Sequence, residues 1–169
     1  MAAVLSMAHD YYKEMTMKQE LHFQLNGETI SLDANPNEIL LDLLRDKIGV
    51  KSPKCGCDKG DCGTCTVLIN GKSVRSCMIL AMEVDHQEVT TIEGLMYDGL
   101  TPLQNSFIEH NSFQCGFCAP GIILSATELL AKNAHPEKEE IQEALSGNLC
   151  RCTGYSPIVN AITDLTKQS

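Results

Sequence analysis

The sequence predicts an α+β protein, with its strands gathered in the first half and its helices in the second. Three observations predict it. Asn26-Gly27 and Asn70-Gly71 each stand between short alternating runs, the strongest local signal for a hairpin. Past Glu93 the apolar spacing changes from alternation to the three-and-four pattern of helices. Pro102, Pro120 and Pro157 then stand where first helical turns open.

Residues 1–16 carry no pattern that pairs with the rest and are expected to be an N-terminal extension; the first domain is expected over 17–93. Leu21-His22-Phe23-Gln24-Leu25 alternates, Asn26-Gly27 turns, and Thr29-Ile30-Ser31-Leu32 alternates again. Asn37 is placed to cap a short helix through Arg45, with Ile39, Leu40, Leu43 and Leu44 on one face and Gly49 as its stop. The Gly- and Cys-rich stretch from Lys54 to Cys65 is too irregular for helix or strand. Thr66-Val67-Leu68-Ile69 and Lys72-Ser73-Val74-Arg75 flank the second turn, and Val89 to Ile92 offers one more strand. Short strands, two hairpins and one packed helix predict a β-grasp domain.

The second domain is expected over 94–169. Thr101-Pro102-Leu103-Gln104 reads as a capping box with proline at the first helical position. Pro120 opens a helix with the stripe Ile122, Ile123, Ala126, Leu129 and Leu130, broken at His135-Pro136. Glu137 to Leu145 forms a third helix stopped by Gly147, and Ser156-Pro157 starts a fourth through Ile158, Ala161, Ile162 and Leu165. Four short helices predict a four-helix bundle.

With 169 residues the chain is one domain or two small ones, and small domains often take stability from metal centres. Four Tyr, four Phe and no Trp leave neither core resting on large rings. A formal charge of −9 argues against nucleic acid as a partner. No stretch approaches the roughly 18 apolar residues of a membrane span. Met1–Thr16 has no basic start and only a short apolar run at Ala2–Met7, so a reducing cytoplasm is expected, where clustered cysteines bind metal more often than they form disulfides.

Eight of the nine cysteines fall into two quartets, Cys57-x4-Cys62-x2-Cys65-x11-Cys77 and Cys115-x2-Cys118-x31-Cys150-x-Cys152. The first has the plant-type [2Fe–2S] ferredoxin spacing. Three thiolates must converge from one segment whose amides turn toward anionic sulfur, and Gly56, Gly60 and Gly63 permit the backbone angles this needs. The second quartet sets each pair ahead of a proline-opened helix, at Pro120 and Pro157, where helix N-termini favour an anionic centre. A four-cysteine zinc site stays open for either quartet, more so for the second. Cys55 is the odd thiol, free or a substitute ligand for Cys57.

Lys54-x-Gly56-Cys57-x-x-Gly60-x-Cys62-Gly63-x-Cys65-Thr66-Val67 resembles the ferredoxin-like motif of the molybdenum hydroxylases, the xanthine oxidase family. Gln114-Cys115-Gly116-Phe117-Cys118-x-Pro120-Gly121 and Gly147-Asn148-Leu149-Cys150-Arg151-Cys152-Thr153-Gly154-Tyr155 resemble that family's second motif pair. The likeness runs from about Leu21 to Thr166. It implies a small subunit carrying two [2Fe–2S] clusters between a large subunit with molybdopterin and a medium subunit with FAD. By the motif match, Cys115, Cys118, Cys150 and Cys152 hold the cluster nearest molybdenum, and Cys57, Cys62, Cys65 and Cys77 hold the one nearer FAD. Gln114 matches a residue that hydrogen-bonds the pterin, and Cys152 the ligand lying against the pterin amino group.

The remaining sequence carries no GxGxxG after a strand, no P-loop and no HExxH, and His9, His22, His86, His110 and His135 are scattered. No substrate-converting site is therefore expected on this chain. The resemblance implies electron transfer during hydroxylation of an N-heterocycle such as a purine or nicotinate, or of an aldehyde. A free-standing ferredoxin-type carrier is the alternative, against which the second quartet counts, and a zinc-stabilised interaction module is a third reading.

Overall fold

The computed structural model describes residues 18–96 and 98–167, so the extension expected over 1–16 lies outside the described residues. β1 (Gln19–Leu25) and β2 (Glu28–Ala34) pair antiparallel, with Leu21 opposite Leu32 and Phe23 opposite Ile30. Asn26 and Gly27 both take positive φ, 54° and 84°, the turn whose twist suits a two-residue hairpin. β3 (Thr66–Ile69) and β4 (Lys72–Arg75) repeat the device through Asn70 and Gly71, at 49° and 78°. β5 (Glu88–Thr90) joins the hairpins, parallel to β1 and antiparallel to β3, in a mixed sheet of order β2-β1-β5-β3-β4.

Two boundaries differ from the sequence expectation. The strand expected at Val89–Ile92 stops at Thr90, because Thr91 gives its N–H to Asn26 Oδ1 (2.8 Å) and the chain turns into a short 3-10 helix, Ile92–Leu95. The helix expected from Asn37 begins at Leu40. Ile39 instead pairs with Leu80 as an antiparallel bridge, Leu40 N–H bonds Ile79 O (2.8 Å), and Ile39 is held extended at the helix start. This helix, α1 (Leu40–Asp42), continues as a π-helical stretch, Leu43–Ile48, to Gly49 in the left-handed region (φ 92°). Leu40, Leu43 and Leu44 enter the core with Leu21, Phe23, Val67 and Val89, and Leu41 packs on Cys65 and Cys77.

The second half holds α2 (Pro102–Glu109), α3 (Ala119–Lys132), α4 (Lys138–Leu145) and α5 (Ser156–Lys167). The capping box forms as expected, Gln104 N–H donating to Thr101 Oγ1 (3.2 Å) and Thr101 N–H to Gln104 Oε1 (2.8 Å). Phe107, Ile122, Ala126, Ile141, Ile158 and Ile162 share one core among these helices. α3 also lies across β3 and β4, where Glu128 accepts from Ser73 N–H (2.8 Å). Among the described residues no helix is long and apolar enough to cross a membrane.

Candidate metal centres

The loop from Lys54 to Cys65 winds through positive φ at Asp58 (57°), Gly60 (83°) and Gly63 (71°), which turns its amides inward. Cys62 N–H points at Cys57 Sγ (3.4 Å), and the amides of Lys59 and then Cys62 hold the Cys57 thiol down at about 7. Such donors favour sulfur as an anion. Thr64 ties the loop, giving its hydroxyl to Lys54 O (2.9 Å) and lying 3.2 Å from Cys62 Sγ. Cys77 returns after the second hairpin and meets Cys65, Sγ to Sγ, at 3.4 Å. Burial, then contact with Cys65, pushes the Cys77 thiol up to about 11.

The second quartet lies in the helical half. Cys118 stands at the N-cap of α3, and burial followed by contact with Cys150 pushes it up to about 12. Burial alone would raise Cys150 as well, but hydrogen bonds from the hydroxyl and amide of Thr153 lower it overall. Cys152 meets Cys115 at 3.6 Å, and both are exposed, whereas Cys118 is buried. α5 starts at Ser156, where Ser156-Pro157 places it, after Gly154 and Tyr155 (φ 63° and 67°) turn the chain away from the cysteine pair. Tyr155 pins that turn, its hydroxyl donating to Asn148 O (3.0 Å) and accepting from Cys150 N–H (2.8 Å). Gln114 is exposed and gives its amide to Cys152 O (3.2 Å), linking the segments that carry the two cysteine pairs.

All eight cysteines are free thiols, and the closest sulfurs approach two by two: Cys57 with Cys62, Cys65 with Cys77, Cys115 with Cys152, Cys118 with Cys150. Among the described residues no three potential ligands converge as they do around a single metal ion. Pairs of thiolates facing each other are what a [2Fe–2S] centre with four cysteine ligands takes, two to each iron, so the residues present fit that group. Cys55, by contrast, is exposed and unpaired with another sulfur; desolvation and then Asp58 raise its thiol.

The two quartets are joined by backbone. Leu149 N–H donates to Cys62 O (2.9 Å), so one hydrogen bond and a few covalent bonds separate Cys62 from Cys150. Arg75 reaches Gly147 O (2.7 Å), and buried Asn148 reaches Gly63 O (3.1 Å). Asn148, Arg75, Thr64, Thr153 and Tyr155 were not singled out by spacing; only the place of Asn148, Thr153 and Tyr155 within the second motif pointed to them.

Residues 23–93 match the family model described as a 2Fe-2S iron-sulfur cluster binding domain, and residues 91–163 match that of a [2Fe-2S] binding domain. The nicotinate dehydrogenase small FeS subunit of Eubacterium barkeri is 49% identical over 86% of this chain and 93% of its own length. The nicotine 6-hydroxylase small subunit of Paenarthrobacter nicotinovorans is 46% identical over 88% of this chain and 90% of its own. Among solved structures, quinoline 2-oxidoreductase from Pseudomonas putida 86 superposes with a TM-score of 0.85 at 40% identity, covering 89% of this chain and 94% of that one.

Proposed function

We propose, from the premise that this chain belongs to the iron–sulfur subunits of the molybdenum hydroxylase (xanthine oxidase) family, that it carries electrons between two larger partner subunits. The source is a molybdopterin site on a large subunit and the destination FAD on a medium subunit, in the cytoplasm. The names of three relatives refer to nicotine, nicotinate and quinoline, all nitrogen heteroaromatics, which supports hydroxylation of an N-heterocycle by the assembled enzyme. Catalysis lies on other subunits, as it does in this family of oxidoreductases.

One observation carries the reading: the two cysteine quartets are joined through hydrogen bonds from Leu149 and Asn148 to the Cys62–Gly63 loop, with an exposed cysteine pair on the helical side. Bound at these quartets, [2Fe–2S] clusters supply one-electron uptake and release. The proposed ligands are Cys57, Cys62, Cys65 and Cys77 in a β-grasp, ferredoxin-like domain over 17–93, and Cys115, Cys118, Cys150 and Cys152 in a four-helix domain over 94–169. Cys115 and Cys152 are the exposed pair, so that face meets the pterin-bearing partner, with Gln114 and Cys152 as its contacts. Cys118 and Cys150 lie inward, and the Leu149 amide bonded to Cys62 O leads from them to the sheet half.

The test is metal content and substrate-driven reduction. The purified complex should hold about four iron and four labile sulfides per copy of this chain. Mixing it with substrate should bleach the visible absorption of both centres before FAD is reoxidised by the external acceptor. Stoichiometric zinc without sulfide, or full electron-carrier activity from the chain as a lone monomer, overturns the reading.

A further inference from the structure

The contact between the halves is built around one side chain that no cofactor ligation requires. Asn148 is 1% exposed, and its polar atoms are all engaged. Oδ1 accepts from Ser125 Oγ on α3 (2.9 Å), and Nδ2 donates to Gly63 O (3.1 Å) and Thr66 Oγ1 (3.2 Å). Gly63 lies between Cys62 and Cys65, while Asn148 itself lies two residues before Cys150. A single amide therefore grips both cysteine loops at once. The residue after it, Leu149, makes the one backbone bond to Cys62 O (2.9 Å).

The surroundings leave this grip no slack. Arg75 braces it from the sheet, Nη1 donating to Thr66 Oγ1 (2.9 Å) and Nη2 to Gly147 O (2.7 Å). Backbone meets backbone through three glycines. A Cβ at Gly121 would stand 2.3 Å from Gly63 O, and one at Gly63 would stand 2.3 Å from Gly147 O. The position demands one acceptor and two donors on a short planar end, which asparagine has and aspartate or serine lacks. Burying an amide is unfavourable unless its bonds are made, and here both ends are bonded.

We infer that Asn148 is a positioning residue for electron transfer between the two centres: it fixes the Cys62 loop against the Asn148–Cys150 segment, and so sets their separation and the hydrogen-bonded link between them. The inference rests on the electron-transfer reading above. In the step concerned, one electron leaves the centre in the helical half, which is oxidised, and arrives at the centre in the sheet half, which is reduced. No bond is made or broken and no proton moves.

The test uses the assembled enzyme with Asn148→Asp, which keeps the acceptor and the volume but loses both donors, and with Ser125→Ala, which removes only the hydroxyl that orients Oδ1. Three quantities are read: iron and sulfide content, spin–spin splitting of the EPR signals in the fully reduced enzyme, and the interval between reduction of the first and second centres after mixing with substrate. Both variants should keep two EPR signals. Asn148→Asp should lose or narrow the splitting and lengthen the interval, with reduction of the first centre at the wild-type rate, and Ser125→Ala should do so more weakly. Wild-type splitting and interval in Asn148→Asp overturn the inference. If that variant loses a centre on folding, unchanged splitting in Ser125→Ala overturns it instead. A wild-type enzyme without two reducible EPR signals would fail the parent reading, a result distinct from either of these.

Discussion

Cys55 and Cys57 are two residues apart, yet the loop treats their sulfurs in opposite ways. Amides of Lys59 and Cys62 lower the Cys57 thiol, while desolvation and Asp58 raise that of Cys55. Cys57→Ser should therefore abolish or badly distort the centre in the sheet half, read as loss of about half the iron, and Cys55→Ser should keep both centres. The reverse outcome would move the first ligand to Cys55. Gln114 poses a different question, because its Nε2 already donates to Cys152 O. That bond holds the side chain at the open face without using its carbonyl oxygen, and an amide serves as donor and acceptor at once. Gln114→Ala should retain both EPR signals on chemical reduction while slowing substrate-driven reduction or lowering pterin occupancy. A buried contact bond lost on docking is worth on the order of 1–3 kcal/mol. Unchanged occupancy together with unchanged rates would leave Gln114 a local tie and nothing more.

At the scale of elements, α2 and α5 are joined by a contact that pH should loosen. His110 ends α2, with Nδ1 2.9 Å from Ser106 O and Nε2 3.1 Å from an Asp164 oxygen on α5. A carbonyl and a carboxylate both accept, so the ring is favoured with both nitrogens protonated, and its pKa is raised, by Ser106 O first and Asp164 next. A raised folded-state value means that this stabilisation is fully present below the ordinary value of 6.5 and is lost as pH climbs through the folded value. Thermal unfolding of wild type should lose a small increment of stability over that rise, and His110→Gln should flatten the dependence. An identical pH profile in both would remove the contact from the account. The glycine contact between the halves allows a sharper change. Gly121→Ala would drive a methyl to 2.3 Å from the Gly63 carbonyl, and overpacking of this kind costs about 1–3 kcal/mol or more. A lower melting temperature and a disturbed EPR signal from the sheet half are expected.

Those elements also show what the sequence made legible. Hairpins at Asn26-Gly27 and Asn70-Gly71 and the helices opened by Pro102 and Pro120 were readable because each depends on local backbone chemistry. The start of α1 was misplaced because Ile39 answers to Leu80, forty-one residues away, and local capping by Asn37 loses to that pairing. The cysteine spacing was readable for the same local reason, three cysteines in one loop. The pairing of sulfurs across the fold, and the Asn148 grip between positions 85 residues apart, depends on how α3 settles on β3, which no short pattern encodes.

At the scale of the whole molecule, seven large apolar side chains are exposed among the described residues, and four of them border the proposed ligands: Met78 (59%) and Leu80 (40%) just after Cys77, Phe117 (45%) between Cys115 and Cys118, and Leu149 (54%) before Cys150. Exposed apolar surface gathered at functional loops marks faces that meet other proteins. A chain of formal charge −9 has no electrostatic reason to hide these loops by self-association, since like charge opposes it. In the proposed assembly, covering them with two different partners places one partner beside each end of the proposed electron route. Hydrogen exchange of the assembled enzyme should therefore slow most at 76–80, 115–118 and 149–153 relative to the isolated chain, with the hairpin tips at Asn26-Gly27 and Asn70-Gly71 unaffected. Gln114→Ala should weaken association with the pterin-bearing partner and Met78→Ser association with the flavin-bearing one, each without the other. Equal protection everywhere, or loss of both partners from either substitution, would mean that the two ends are not separate docking faces, and the directional route from one end of the chain to the other would have to be redrawn.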